Sequence, residues 1–359
     1  MASPFGRCGW SGGGLPPGTR SLTGSRWARP GHAPRDLSIF KTVKQFCGKL
    51  LASPHPGLQF WRMSEKPEIL CIGSVLWDVI GRSASHMERG SDVPGRISRL
   101  PGGVAMNIAM ALNGFGIRAG LLSAVGSDPE GLELMAAARA LGLACDYTYV
   151  SDDLPTDQYM AVEGANGLIA AIADAHSLEA AGDKILAPLL DGRLAKAGEP
   201  WTGMVALDGN LTQDMLIRIA QGALFDRADL RIAPASPGKV ERLQGFFGQS
   251  GATVYLNLEE AGLLNHCRYK TTREAAEALR ARGLSRVLVT DGPNPTCVAS
   301  DDGVIEATPP AVLVTRVTGA GDTFMAAHMA AEFRGEAPEP ALRSALQAAA
   351  DYISSERSL

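Results

Sequence analysis

The 359-residue chain has six cysteines, Cys8, Cys47, Cys71, Cys145, Cys267 and Cys297, scattered with no Cys-x-x-Cys pair and no Cys/His cluster. That spacing argues against a disulfide framework or a structural zinc site and fits a reducing, cytoplasmic compartment. The six histidines show no paired ligand spacing. No uncharged apolar run reaches the ~18–20 residues needed to cross a bilayer, so no membrane span is expected. No G-x-x-x-x-G-K-[ST] loop occurs, which excludes a P-loop nucleotidase. Gly114-Phe115-Gly116 with Gly120 follows a helical pattern rather than a strand, the wrong setting for a dinucleotide fingerprint. There is no excess of positive charge either: a net charge of −4 speaks against a general nucleic-acid binder.

The average conceals a division. Residues 1–62 hold nine Lys or Arg and one acid, Asp36, leaving 25 bases and 37 acids in the rest. This leader is rich in Gly, Pro, Ser and Arg, and only Leu37–Leu51 could form a rough apolar helical face. It reads as a transit peptide, as a membrane-surface helix, or as sequence upstream of a true start at Met63. The last reading is favoured, because Met63 falls just before the first core strand. On it, residues 63–359 form one domain.

From Met63 onward short apolar runs alternate with helical stretches. Glu68–Ile72, Gly120–Val125, Met204–Leu207, Leu230–Ile232, Thr253–Leu256 and Val287–Val289 are continuous rather than alternating runs, as strands covered on both faces require. Helices are expected around Asn107–Leu112, at Gly131–Leu141 with Leu132, Leu134, Met135 and Ala138 inward, and at Ala341–Tyr352. Strand–helix repetition predicts a three-layer α/β fold around a mainly parallel sheet. Two segments, near 91–101 and 157–173, break the pattern with extended polar and apolar residues. The second carries the turn signal Gly164-Ala165-Asn166-Gly167. Together they predict a small projecting β sheet, placed as a lid or as an ordinary surface hairpin.

Three segments carry chemistry. Thr318-Gly319-Ala320-Gly321-Asp322 precedes a small-residue helical run. Its glycines let an anion approach the backbone, the amides at the helix start attract that anion, and Asp322 stands where it could take a proton from an attacking hydroxyl. A plain helix cap would use the same residue types. Pro101-Gly102-Gly103-Val104-Ala105-Met106-Asn107 offers close backbone contact, and Asn107 brings both a donor and an acceptor for a polyol. Gly73-Ser74-Val75-Leu76-Trp77-Asp78 follows the first strand, and ligands of open α/β sheets bind at such strand ends. His328, inside the small-residue helical run after Asp322, is read as packing or surface rather than catalytic.

In this order and spacing the three segments resemble the ribokinase-like (PfkB) family of carbohydrate and nucleoside kinases, over nearly all of residues 67–352. Asn257-Leu258-Glu259-Glu260 is similar to the family's Asn-x-x-Glu element, and Thr290-Asp291-Gly292 to the strand end near its nucleotide. The resemblance implies ATP as donor, Mg²⁺ positioned by Glu260, nucleotide contacts from Asn257, Thr290 and Gly292, and a sugar held by Asp78, Gly102, Gly103 and Asn107. It also implies Asp322 as base, with Gly319, Ala320 and Gly321 around the transferred phosphoryl group. Ser91–Ile97 and Leu121–Asp128 look most like the bacterial pseudouridine kinases within the family, which implies pseudouridine as acceptor. Another sugar or nucleoside, or a non-catalytic sensor, are the alternatives. Three features depart from the family pattern. Arg316 stands where many members have an acid that helps bind a monovalent cation, so no cation is expected there in the usual way. Ala233-Pro234 replaces Asn-Pro, and the short stretch after Tyr352 implies an abbreviated purine-side wall. A homodimer sharing the small sheet is compatible with the resemblance.

Overall fold

The computed structural model describes residues 66–355 apart from 197, 249, 250 and 317. The expectations for residues 1–62, including the helix at 37–51, lie outside the described residues.

Eight strands form the main sheet. In spatial order they are Ala119–Leu122, Ile69–Ile72, Met204–Asp208, Asp229–Ala233, Thr253–Asn257, Arg286–Asp291, Asn294–Ser300 and Gly303–Ala307. The first six run parallel, and the last two are added through antiparallel pairings, so only Asn294–Ser300 runs against the rest. Both faces of the sheet are covered. Leu70 and Ile72 enter one apolar cluster with Leu122, Val205 and Leu207, while Ile69 and Cys71 enter another with Leu121 and Ala206. Period-two alternation into two separate cores gives three layers, as the continuous apolar runs predict. Helix starts are set locally. Asp128 caps Pro129–Ala140 by accepting from Gly131 N at 2.8 Å, and Thr212 caps Gln213–Gln221 in the same way.

A separate four-stranded sheet has the order Arg96–Gly102, Leu76–Arg82, Gln158–Gly164, Gly167–Ala173. Gly164 pairs with Gly167 across a two-residue loop, as the turn signal indicates. Three details differ from the sequence reading. Gly120–Val125 breaks at Ser123: Ala119–Leu122 stays in the main sheet, while Ala124–Gly126 pairs with Tyr149–Ser151. Both halves are apolar, so hydropathy could not mark the break. Leu132 is 65% exposed and faces away from the core, which takes Leu134, Met135 and Ala138. Leu76–Arg82 is itself a strand of the small sheet, so Asp78 sits within a strand rather than on the loop after the first core strand.

Among the described residues no helix is long and apolar enough to cross a membrane. Cys71, Cys145 and Cys297 are buried free thiols, and Cys267 is an exposed one. His328 is fully buried, with its Nδ1 2.8 Å from the Tyr255 hydroxyl.

Candidate active site

Two loops far apart in sequence meet above the carboxyl ends of the core strands. Pro101-Gly102-Gly103 leads from the small sheet into the Val104–Gly114 helix. Gly103 has φ +97°, and a Cβ there would stand 2.5 Å from the Ser74 carbonyl oxygen. A Cβ on Gly102 would stand 2.1 Å from the Asp78 carboxylate, so Asp78 lies directly against the turn. The first turn of the new helix carries Asn107. Its Nδ2 donates to Asp322 Oδ2 at 2.9 Å, across 215 positions of sequence.

Asp322 lies in the first turn of the Ala320–Phe333 helix, whose N-cap Gly319 is left-handed at φ +86°. A Cβ on Gly319 would meet the Tyr352 hydroxyl at 2.5 Å, and that hydroxyl donates to the Thr318 carbonyl at 3.0 Å. Thr323 Oγ1 donates back to the Gly319 carbonyl at 2.9 Å. These bonds hold the turn while the amides of the first helical turn keep the partial positive charge that an anion seeks. No heavy atom would crowd a Cβ on Gly321, which leaves the approach open. Burial raises the Asp322 pKa to about 7; the Asn107 bond lowers it, and the charges of Asp208, Asp78 and Glu260 add to the rise. A half-buried carboxyl tuned near neutrality is suited to accepting a proton.

Asn257 and Glu260 form a capping box at the start of the Leu258–Leu264 helix. Glu260 N donates to Asn257 Oδ1, and Asn257 N donates to Glu260 Oε2, each at 2.8 Å. The spacing that resembles a ligand motif is thus also a local helix start. Glu260 is buried, and burial lifts its pKa to about 7. Thr290 is the parallel-strand register partner of Asn257, and Gly292 turns the chain at φ +52° just beyond it. Thr290 and Gly292 lie at the end of the Arg286–Asp291 strand, four strands along the sheet from the Ile69–Ile72 strand that leads to Ser74, so they occupy a second area of the strand ends. No group of three or more His, Cys, Asp or Glu among the described residues could hold a metal ion alone. The capping box occupies Glu260 Oε2 and Asn257 Oδ1 with backbone N–H groups, so an ion beside Glu260 would be met mostly by water and phosphate oxygens, the kind of shell that suits Mg²⁺.

Arg316 stacks over the Tyr352 ring at 3.6 Å, its Nε donates to the Tyr352 carbonyl, and its Nη2 donates to Ser355 Oγ, both at 2.8 Å. Its guanidinium ties the approach to the Gly319 turn onto the end of the Pro338–Ser354 helix. Sequence reasoning missed Tyr352 and Asp208, the latter fully buried beneath the Gly102-Gly103 turn. The Asp-Gly-Asn following the apolar run Met204–Leu207 was the available signal for Asp208.

A family profile described as pfkB family carbohydrate kinase matches residues 66–358. A pseudouridine kinase of Escherichia coli (strain K12) is 28% identical over 271 residues, covering 74% of this chain and 83% of that protein. A carbohydrate kinase structure from Agrobacterium tumefaciens is 26% identical with a TM-score of 0.66, covering 79% of this chain and 90% of that one. The structure of Arabidopsis thaliana ribokinase complexed with ribose and ATP has a TM-score of 0.63 at 20% identity, covering 81% and 94%; that likeness is one of fold.

Proposed function

The chain belongs to the pfkB family of carbohydrate kinases, phosphotransferases with an alcohol acceptor, and from that premise we propose that it phosphorylates a primary hydroxyl of a ribose-containing acceptor with ATP, pseudouridine before others. The observation that carries the reading is the 2.9 Å bond between Asn107 and Asp322, which joins the acceptor turn to the anion turn. Asp78, Gly102, Gly103 and Asn107 orient the sugar. Asp322 takes the proton of the attacking hydroxyl as its oxygen bonds to the γ-phosphorus. The bond from that phosphorus to the β,γ-bridging oxygen breaks, and ADP leaves with the electron pair. The amides around Gly319, Ala320 and Gly321 stabilise the charge on the transferred group. Asn257, Thr290 and Gly292 flank the nucleotide. Glu260, with Asn257, would hold waters of a Mg²⁺ ion, which supplies neutralisation of phosphate charge. Closure of the four-stranded sheet that carries Asp78 excludes water and so limits ATP hydrolysis.

The pseudouridine assignment is supported by the E. coli relative and by the Ser91–Ile97 and Leu121–Asp128 segments. The test is ADP release with MgATP, run side by side on pseudouridine, uridine, ribose and fructose, with the product identified by mass spectrometry. Turnover concentrated on pseudouridine is expected. Turnover on a sugar or another nucleoside overturns the acceptor, and binding of an acceptor with no ADP formed overturns the kinase.

Arg316 already fills its surroundings with a fixed cation, which leads to independence from monovalent ions. Replacing potassium by choline at constant ionic strength should leave kcat unchanged within about twofold. A tenfold or greater activation by potassium, on the order of 1.4 kcal/mol, would contradict this role for Arg316.

A further inference from the structure

Beneath the acceptor turn lies a carboxylate that the mechanism above does not use. Asp208 ends the Met204–Asp208 strand and is 0% exposed. Its Oδ2 accepts from Ser74 N at 2.7 Å, from Ser74 Oγ at 2.5 Å and from Asn210 Nδ2 at 3.2 Å. Its Oδ1 accepts from Asn210 N at 2.7 Å. Lys239 Nζ in turn bonds Asn210 Oδ1. An anion this deep is costly unless its lone pairs are met, and here both oxygens receive donors from two crossing segments.

Ser74 passes this order upward. Its Oγ accepts from Val104 N at 2.9 Å, and its carbonyl accepts from Met106 N at 3.3 Å. Those two amides open the helix that carries Asn107, and Gly103 bends over the same carbonyl. Ser74 also stands two residues before the Leu76–Arg82 strand that carries Asp78. One buried carboxylate therefore anchors the segments that bear Asp78, the Gly102-Gly103 turn and Asn107, the partner of Asp322.

We propose that Asp208 is a positioning residue of the acceptor site, acting through Ser74 on the Gly102-Gly103 turn and through that turn on Asn107 and Asp322. The inference rests on the kinase reading above and adds a residue that contacts neither acceptor nor ATP. Asp208 acts by geometry and also by field, because its charge faces Asp322 together with those of Asp78 on the small sheet and Glu260 on the Leu258–Leu264 helix. Two cations border its network, both through Asn210: Lys239 Nζ bonds Asn210 Oδ1, and Arg242 Nη1 donates to the Asn210 carbonyl at 2.8 Å.

The test uses the full chain. Ser74→Ala deletes one hydroxyl and leaves Val104 N and Asp208 each short of a partner. It should raise the acceptor KM roughly tenfold and lower kcat, with the ATP KM unchanged, and Ser74→Thr should restore much of the loss. Asp208→Asn sets an amide NH₂ against main-chain donors and removes a negative charge near Asp322. Its acid limb in kcat/KM should move to lower pH by about half a unit or more. A purely structural role would lower the melting temperature of Ser74→Ala while leaving its acceptor KM, and its acceptor affinity by calorimetry, at the wild-type value. That result overturns the proposal even while the wild type remains an active kinase. A wild type that phosphorylates none of the acceptors overturns the kinase reading instead. If Asp208→Asn does not fold, the Ser74→Ala kinetics decide.

Discussion

Asp322 and Glu260 are carboxyls that burial holds near neutrality, each with a pKa of about 7, and the Glu260 charge adds to the rise at Asp322. Asp322 can accept a proton only when ionised, so kcat/KM should rise with pH through about 7 and level off above it. A pH–rate profile flat from about pH 5 to 8 would contradict a base at this position. Glu260 makes a second prediction, in stability. Its folded pKa lies above the usual 4.5, so the folded chain binds more protons than the unfolded chain between 4.5 and about 7, and stability falls as pH rises through that window. Glu260→Gln keeps an oxygen for the capping box and cannot ionise. It should be more stable than wild type by about 1–3 kcal/mol near pH 8, with no advantage below about pH 4, as urea melts would measure. The same variant should need more Mg²⁺ for half-maximal rate.

At the scale of elements, the site depends on one left-handed glycine. Gly319→Ala places a Cβ in the αL region and 2.5 Å from the Tyr352 hydroxyl, and the C-terminal helix cannot yield without losing its bond to Thr318. The change should cost about 1–2 kcal/mol in the backbone alone and lower kcat/KM for ATP roughly tenfold, measured by melting and steady-state kinetics. This turn was legible in the sequence because Gly-Ala-Gly-Asp ahead of a small-residue run, which alone would also serve a plain helix cap, stands in order with the Gly102-Gly103 and Gly73–Asp78 segments. The parallel strands were legible for a different reason: strands such as Ile69–Ile72 must be apolar at every position when both faces are covered. What could not be read depends on long-range partners. The strand at Leu76–Arg82 exists because it pairs with Arg96–Gly102 and Gln158–Gly164, and nothing local to it marks that pairing. Likewise Asn257 and Glu260 show a spacing that serves a helix cap and a ligand motif equally, and only their geometry reveals that the cap is made.

For the whole molecule, the Ala320–Phe333 helix links two kinds of electrostatics. Its first turn carries Asp322, while near its other end Glu332 accepts from Arg231 Nη1 and Arg286 Nη2, each at 2.5 Å. Burial disfavours the Glu332 charge, but the Arg286 bond and the neighbouring His328 and Arg231 outweigh it and bring the pKa down to about 2. This depressed acid contributes stability above the usual 4.5 and loses it as pH falls toward about 2. Glu332→Gln leaves Arg231 and Arg286 short of a charge in the interior and should cost about 3 kcal/mol, seen as a lower denaturation midpoint with kcat and KM unchanged. A parallel fall in kcat would mean that the two ends of the helix are not independent. The most direct measurement on the chain as a whole is single-turnover transfer of the γ-phosphoryl group by wild type and Asp322→Asn, with ATP and acceptor binding followed in the same samples. Wild type should form phosphorylated acceptor and ADP in equal amounts. Asp322→Asn should bind both ligands and transfer roughly 10²–10⁴-fold more slowly. Transfer by Asp322→Asn at a near-normal rate would contradict the assignment of Asp322 as the base on which the site is built.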